Sequence, residues 1–325
     1  MVNVSTKSLR EAMGRSLVEL GREDKRIVVL DPDVGHPTRS YYFQEEFPQR
    51  YIQTGIAEQN MVSVAAGLAT CGLIPFVVSF ASFLTRRCFD QIYNSIAFPG
   101  CNVKLIGTYS GFTTYGTGAS HQTFEDIAVM NTLPNIVILN PGDPRETAQA
   151  VRASAGIEGP VYLRVGRVDT IEPVYGENDE FQIGKVLQIE DGCDGAVLST
   201  GIMTAVSRKA VRRLQNEGYS IALYHVPTLR PIDADFIATL LQRYAVVCTV
   251  EDQNTTGGLG SSVNGVAVKE RVKKRILNLG IDGRFGKCGT LDDLFSYFEI
   301  SDSHIYEKLK SMLEAEKLKT RRKEK

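Results

Sequence analysis

Tryptophan is absent from the 325 residues. No run reaches the roughly 18 apolar residues that a membrane-spanning helix needs. The longest apolar candidates, such as the stretch from Gly72 to Phe83, are too short. The amino terminus, MVNVSTKSLREAMGRSL, lacks the apolar core of a secretory signal. Charge of one sign is also missing: 37 Lys and Arg stand against 38 Asp and Glu, a formal charge of −1. That balance argues against a nucleic-acid binder and against an acidic solvating tail. The cysteines, Cys71, Cys88, Cys101, Cys193, Cys248 and Cys288, form no Cys-x-x-Cys pair. They read as reduced, buried, small-hydrophobe residues of a cytoplasmic protein, with no disulfide framework or zinc site expected. His36, His121, His225 and His304 have no ligand spacing, so no metal site is expected on this chain. The Walker pattern and Gly-x-Gly-x-x-Gly are both missing; Gly116-Thr-Gly118 and Gly258-Leu-Gly260 each lack the third glycine.

What remains is ordinary globular composition, 43% hydrophobic and 23% charged. The length suits two domains of roughly 100–200 residues each. Short β-rich runs alternate with helical patterns. Leu9, Met13, Leu17 and Leu20 mark one helical face over residues 5–21, and RIVVLDPDV follows as a strand. Residues 56–71 form a small-residue helix with little charge, expected to be buried. PFVVSF, NVKLIGTYS, NIVILNPGD and PVYLRVG are further strands. Residues 82–97 form a helix stopped by Pro99 and Gly100, and Asp143 before Pro144 predicts an N-cap. The stretch 168–182 loses apolar periodicity and gains Pro, Gly and acids. A second α/β unit follows, ending in a helix that runs into a basic tail. The fold class is α/β, with two three-layer α/β/α domains, each on a mostly parallel sheet. The expected division is 1–170, a linker at 171–180, a second domain at 181–312 and a charged tail at 313–325.

Four features draw attention as possible chemistry. Glu58 is a lone carboxylate in a nearly uncharged run. Read by itself it is either a first-turn acid facing water or an acid buried for a reason. Phe80 and Phe83 bracket Ala81-Ser82 just after a strand, where core packing is the plain alternative. The Gly/Thr/Ser-rich loop 107–120 ends at His121, as a site loop does. Glu251-Asp252-Gln253-Asn254 follows a buried strand, at the end where α/β sheets place function; the same residues suit interface hydrogen bonds.

The ordered set GIAEQNMVSVAAGLA, SFASFLTRRCFDQI, Ser120-His121-Gln122, PVYLRVGR, TLRPID and VEDQNTTGGLGSSV closely resembles the carboxy-terminal half of transketolase-type thiamine diphosphate enzymes. The resemblance covers residues 5–310. It implies a pyrimidine-binding, thiamine diphosphate-binding fold over the first domain and a transketolase C-terminal domain over the second. It implies that Glu58 hydrogen-bonds N1′ of the aminopyrimidine. A carboxyl there favours the imino form of the 4′-amino group, which takes the thiazolium C2 proton; shielding from water suits a proton-holding acid. The cofactor is the electron sink after C–C cleavage.

By the same resemblance Phe80 and Phe83 build the pyrimidine pocket. Arg87 matches a charged position after them, His121 a histidine that reaches substrate, and Arg164 an arginine that binds a sugar-phosphate tail. Two positions depart from the family: Thr117 stands where Asp is usual, and Tyr109 where His is usual. No arginine matches the family's amino-terminal phosphate contact near Thr6 and Lys7. The cofactor side looks intact and the substrate side altered.

The family's diphosphate hallmark, Gly-Asp-Gly with a downstream Asn that holds Mg²⁺, has no match; Asp191-Gly192-Cys193-Asp194-Gly195 is the nearest string. The implied enzyme is therefore a split transketolase. An amino-terminal subunit supplies the Mg²⁺ and diphosphate site, in an α2β2 heterotetramer acting on a sugar or sugar phosphate. Three alternatives stand beside it: the β subunit of a 2-oxo-acid dehydrogenase, a 1-deoxyxylulose-phosphate synthase-like enzyme, and a non-catalytic scaffold that kept the fold.

Overall fold

The computed structural model describes residues 8–169, 171–174, 176 and 180–323. Thr6 and Lys7 lie outside the described residues, as do four positions of the expected linker and the last two residues of the expected tail. Among the described residues, twelve strands build two sheets. In chain order they are β1 (Ile27–Asp31), β2 (Tyr51–Gln53), β3 (Ile74–Phe80), β4 (Lys104–Thr108), β5 (Val137–Leu139), β6 (Val161–Val165), β7 (Leu187–Glu190), β8 (Gly195–Ser199), β9 (Ile221–His225), β10 (Thr228–Arg230), β11 (Val246–Asn254) and β12 (Ile276–Ile281). The first sheet runs β10-β5-β6-β4-β3-β1-β2, with β10 alone antiparallel. The second runs β12-β11-β8-β9-β7, with β7 alone antiparallel. This is the mostly parallel α/β architecture that the alternation of strands and helices predicts.

The central strands are apolar on both faces, as a sheet covered by helices on each side requires. Side chains alternate between two core layers. Val29, Phe76, Val78, Ile106 and Leu163 enter one layer; Val28, Leu30, Val77, Leu105 and Tyr162 enter the other. The helix Leu9–Glu23 puts Leu9, Met13, Leu17 and Leu20 into the first layer. The helix Glu58–Thr70 puts Met61, Val62, Ala65 and Ala66 into the second, beside Leu84 and Cys88 of the helix Ala81–Gln91. That last helix continues as a π-helical turn over Ile92–Ala97 before Pro99 and Gly100 end it. Asp143 caps the helix Pro144–Ala155 as expected, accepting from Glu146 N at 2.8 Å.

Three details differ from expectation. The carboxy-terminal helix, Asp302–Lys323, runs through most of the segment read as a tail, because Ile305, Leu309 and Leu313 anchor it to the core. Only Cys88 and Cys248 are buried; Cys71, Cys193 and Cys288 are exposed, since they sit in turns and loops outside the strands and helices. β10 comes from the second half of the chain yet pairs with β5 of the first sheet.

Two buried polar links also join the two halves of the chain. Arg164 on β6 meets Asp126 of the short helix Asp126–Met130 and Asp252 on β11. His225 Nε2 on β9 lies 2.8 Å from Glu146 Oε2. Neighbouring Glu251 closes the start of the helix Leu259–Lys269, accepting from Leu259 N at 2.7 Å and Gly260 N at 2.8 Å. So Glu251 and Asp252 serve the interface and a helix end.

Burial pushes the Glu251 carboxyl up to about 7, against the hydrogen bonds from Gly260, Gln253 and Leu259 that favour its charged form. The folded state keeps a proton that the unfolded chain releases near 4.5, so wild-type stability should fall as pH rises from 4.5 through about 7. Glu251→Gln lacks this slope. In urea unfolding, the wild type should lose on the order of 3 kcal/mol relative to Glu251→Gln between pH 5 and pH 8; parallel pH profiles would reject the assignment.

Candidate active site

The carboxyl ends of β3 and β4 carry the site. Phe80 is the last residue of β3, and Tyr109 follows the end of β4, one step past the Phe80–Thr108 register. Their rings lie 4.3 Å apart. Tyr109 adopts φ 56°, a left-handed backbone unusual for a bulky residue, which turns its ring out of the strand direction. Phe83, one turn into the helix Ala81–Gln91, stacks on Phe80 with centroids 5.7 Å apart. Arg87, four residues on, shares Phe83's helix face, and its guanidinium carbon stands 4.6 Å over that ring. From there Arg87 donates to Glu58 Oε2 at 2.5 Å. Glu58 opens its helix and is 2% exposed, so the water-facing reading does not hold.

His121 enters from the loop between β4 and the helix Asp126–Met130. Its ring meets Phe83 edge-on at 5.1 Å and lies 6.3 Å from Phe80. The loop is pinned at several points. Gly111 pairs with Thr123, Gln122 Nε2 donates to Lys287 O at 2.8 Å, and Arg86 reaches Gln122 O and Glu125. Gly111 has φ 62° and lies against Asp252, where a Cβ has no room. Adjacent residues of one helix thus serve both parts: Arg86 holds the histidine loop and Arg87 holds Glu58.

Glu58, Phe80, Phe83, Arg87, Tyr109 and His121 therefore form one cluster. Thr117 does not join it. It is exposed, and its hydroxyl donates to Thr114 O at 2.8 Å, closing a turn of the loop. Arg164 requires a correction. It is 1% exposed and enclosed by two carboxylates: Nε donates to Asp126 Oδ2 at 2.8 Å, and the terminal nitrogen reaches Asp252. Tyr162 Oη donates to the same Asp126 oxygen at 2.8 Å. A guanidinium so enclosed is a structural tie and offers no fork to a sugar phosphate. Cys88, beside Arg87, is no nucleophile, since burial pushes its thiol up to about 12.

Sequence reasoning passed over two arginines. Arg10 is 4% exposed and donates to Tyr109 Oη at 2.8 Å. Arg167 stood within PVYLRVGR behind the more prominent Arg164; its guanidinium carbon lies 5.3 Å from the Tyr109 ring. The positive φ of Tyr109 exists only in three dimensions, so the sequence carried no signal for either contact.

Two family models match: "Transketolase, pyrimidine binding domain" over residues 5–171 and "Transketolase, C-terminal domain" over residues 184–305. The chain belongs to the transketolase family. It is 38% identical over 312 residues to a putative transketolase C-terminal section of Methanocaldococcus jannaschii, covering 95% of this chain and 98% of that one. It is 34% identical over 297 residues to a 6-deoxy-6-sulfo-D-fructose transketolase subunit of Clostridium sp. (strain MSTE9), covering 91% and 92%. A solved structure described as "Split gene transketolase, inactive beta4 tetramer" superposes with a TM-score of 0.85 at 36% identity, covering 95% and 99%. The chain thus corresponds to the carboxy-terminal part of a transketolase.

Arg164→Met removes the cation from a buried ion triad and leaves Asp126 and Asp252 facing each other. Equilibrium unfolding should show a loss of about 3–5 kcal/mol. An unchanged midpoint together with a raised KM for a phosphorylated sugar would restore Arg164 to the substrate side.

Proposed function

We propose that this chain is the pyrimidine-binding subunit of a split transketolase, which moves a two-carbon ketol unit from a ketose or its phosphate to an aldose with thiamine diphosphate. The observation that carries this reading is the carboxyl of Glu58. It is 2% exposed, and its only hydrogen bond among the described residues runs from Arg87 to Oε2, so Oε1 still accepts none and keeps slight access to solvent. Packing alone gains nothing from a buried acid with a free oxygen. An aminopyrimidine offers a ring nitrogen for such an oxygen and a flat face for Phe80 and Phe83. The residues present fit that end of the cofactor.

Bound there, thiamine diphosphate supplies the carbon nucleophile and the electron sink for C–C cleavage. Glu58 holds a proton at N1′ of the ring. Arg87 fixes the rotamer of that carboxyl while packing on Phe83. Phe80 and Phe83 exclude water and set the plane of the ring. His121, half-buried against the edge of Phe83, reaches the sugar as a hydrogen-bonding and proton-carrying group.

The sequence has no Gly-Asp-Gly hallmark, so Mg²⁺ and the diphosphate are assigned to an amino-terminal partner subunit, in an α2β2 assembly. The 98% coverage of a relative named as a C-terminal section supports a division at this point. Apolar side chains near the Glu58 helix support a covering protein: Ile56 is 78% exposed and Phe98 84%.

Glu58→Gln keeps the shape and cannot supply the proton. In the assembled enzyme it should lower kcat by about 10²–10⁴-fold with assembly intact. Turnover equal to wild type would reject the role, and full activity of this chain alone would reject the split architecture.

A further inference from the structure

We propose that the loop 282–290 is a positioning element for His121, acting through a clasp on the neighbouring Gln122. This rests on the proposed ketol transfer only for what His121 does once it is held. The loop joins β12 to the helix Leu291–Tyr297, in the half of the chain that supplies no member of the Glu58 cluster. It is fixed on its own side first. Arg284 donates to Tyr297 O at 2.7 Å and to Phe298 O at 3.2 Å, and Gly283 N donates to Asn254 Oδ1 at 3.2 Å. Thr290 closes the far end through a capping box with Asp293.

From that footing the second half of the chain meets the histidine loop along its length. Gly289 N donates to Tyr115 O at 3.2 Å, and Asn254 N donates to Phe124 O at 2.8 Å. Phe112 and Phe124, at the two ends of the histidine loop, share one ring: they lie 5.8 Å and 5.3 Å from Phe298. His121 itself is lightly tethered. Among the described residues its ring has one hydrogen bond, Nδ1 to the exposed Ser120 Oγ at 2.9 Å. The ring therefore goes where the chain beside it goes. Gln122 is the opposite case. It is 1% exposed, its carbonyl accepts from Arg86, and its Nε2 donates across to Lys287 O at 2.8 Å. Its Oε1 is buried without a partner, a cost that an apolar side chain of the same size would not carry. What the amide adds is a directed donor, which fixes the peptide next to His121 in one place. Gly286 leaves room for it, since a Cβ there would collide with Gln122 Oε1 and stand 3.1 Å from Ala119 Cα. The second domain thus holds no reacting group, yet sets where one stands.

Gln122→Met keeps the bulk and removes the donor, and the test compares it with wild type in the assembled enzyme. Hydroxypyruvate is the donor, because loss of CO₂ leaves a two-carbon ketol, and glycolaldehyde is the acceptor. The substitution should lower kcat/KM about tenfold, the cost of a misplaced side chain. Deuterium exchange at the thiamine C2 position, which reports on Glu58, should keep its wild-type rate. In a His121→Ala background the same substitution should cost nothing further, as it must if Gln122 acts through His121. Unchanged kcat/KM, an equal loss in both backgrounds, or a parallel fall in C2 exchange would overturn the proposal. Backbone amide exchange over residues 118–124 needs neither cofactor nor turnover. It should quicken about tenfold in Gln122→Met; an unchanged rate rejects the clasp. If Gln122→Met fails to assemble, Gly286→Ala, which pushes the amide aside from the other loop, is judged by the same criteria. A wild type without C2 exchange rejects the thiamine reading, and amide exchange alone then decides the clasp.

Discussion

The buried triad of Arg164, Asp126 and Asp252 is the constraint on which the rest depends. One guanidinium from the first sheet bridges a carboxylate from a neighbouring helix and one from the second sheet, with all three side chains at 1% exposure or less. Removing Arg164 leaves two desolvated carboxylates without their partner, a far larger cost than losing a surface ion pair. The same Asp252 packs against Gly111, which begins the loop that carries His121. Domain packing and the position of His121 are therefore one problem, solved by one residue.

The α/β alternation was legible because parallel strands buried on both faces leave continuous apolar runs, and amphipathic helices leave a stripe. Glu58 was legible as an anomaly, a carboxylate where nothing polar was due; the resemblance gave it a role, and the structure gave it a partner in Arg87. Arg164 shows the limit. A motif match fixes a residue's place along the chain, but what surrounds it comes from β11, some ninety residues away, and local pattern has no access to that pairing. β10 was missed for a related reason: three residues are too few for a period, and their pairing with β5 is tertiary. Arg167 was hidden by its neighbour, since two arginines three apart look equivalent until Arg164 is found engaged by two carboxylates.

Division of labour along a single helix explains how the site is kept in register. Phe83, Arg86 and Arg87 lie on the helix Ala81–Gln91, which begins where β3 ends. A rigid element launched from the middle of a sheet fixes an aromatic face, a loop anchor and a carboxylate partner together. The strained backbone of Tyr109 is held between Phe80 and Arg10, so its conformation is set by packing on both sides. The functional cluster thus borrows its rigidity from the core instead of supplying its own.

The strand β10 bears on how such proteins divide and recombine over evolution. Because it leaves the second half of the chain to cover β5, a cut between the two halves would strip β5 of its neighbour and bare a row of backbone donors and acceptors. An open edge of that kind invites promiscuous strand pairing and aggregation. A cut between the two sheets would separate β10 from β5, so the pair of sheets stands as one packing unit.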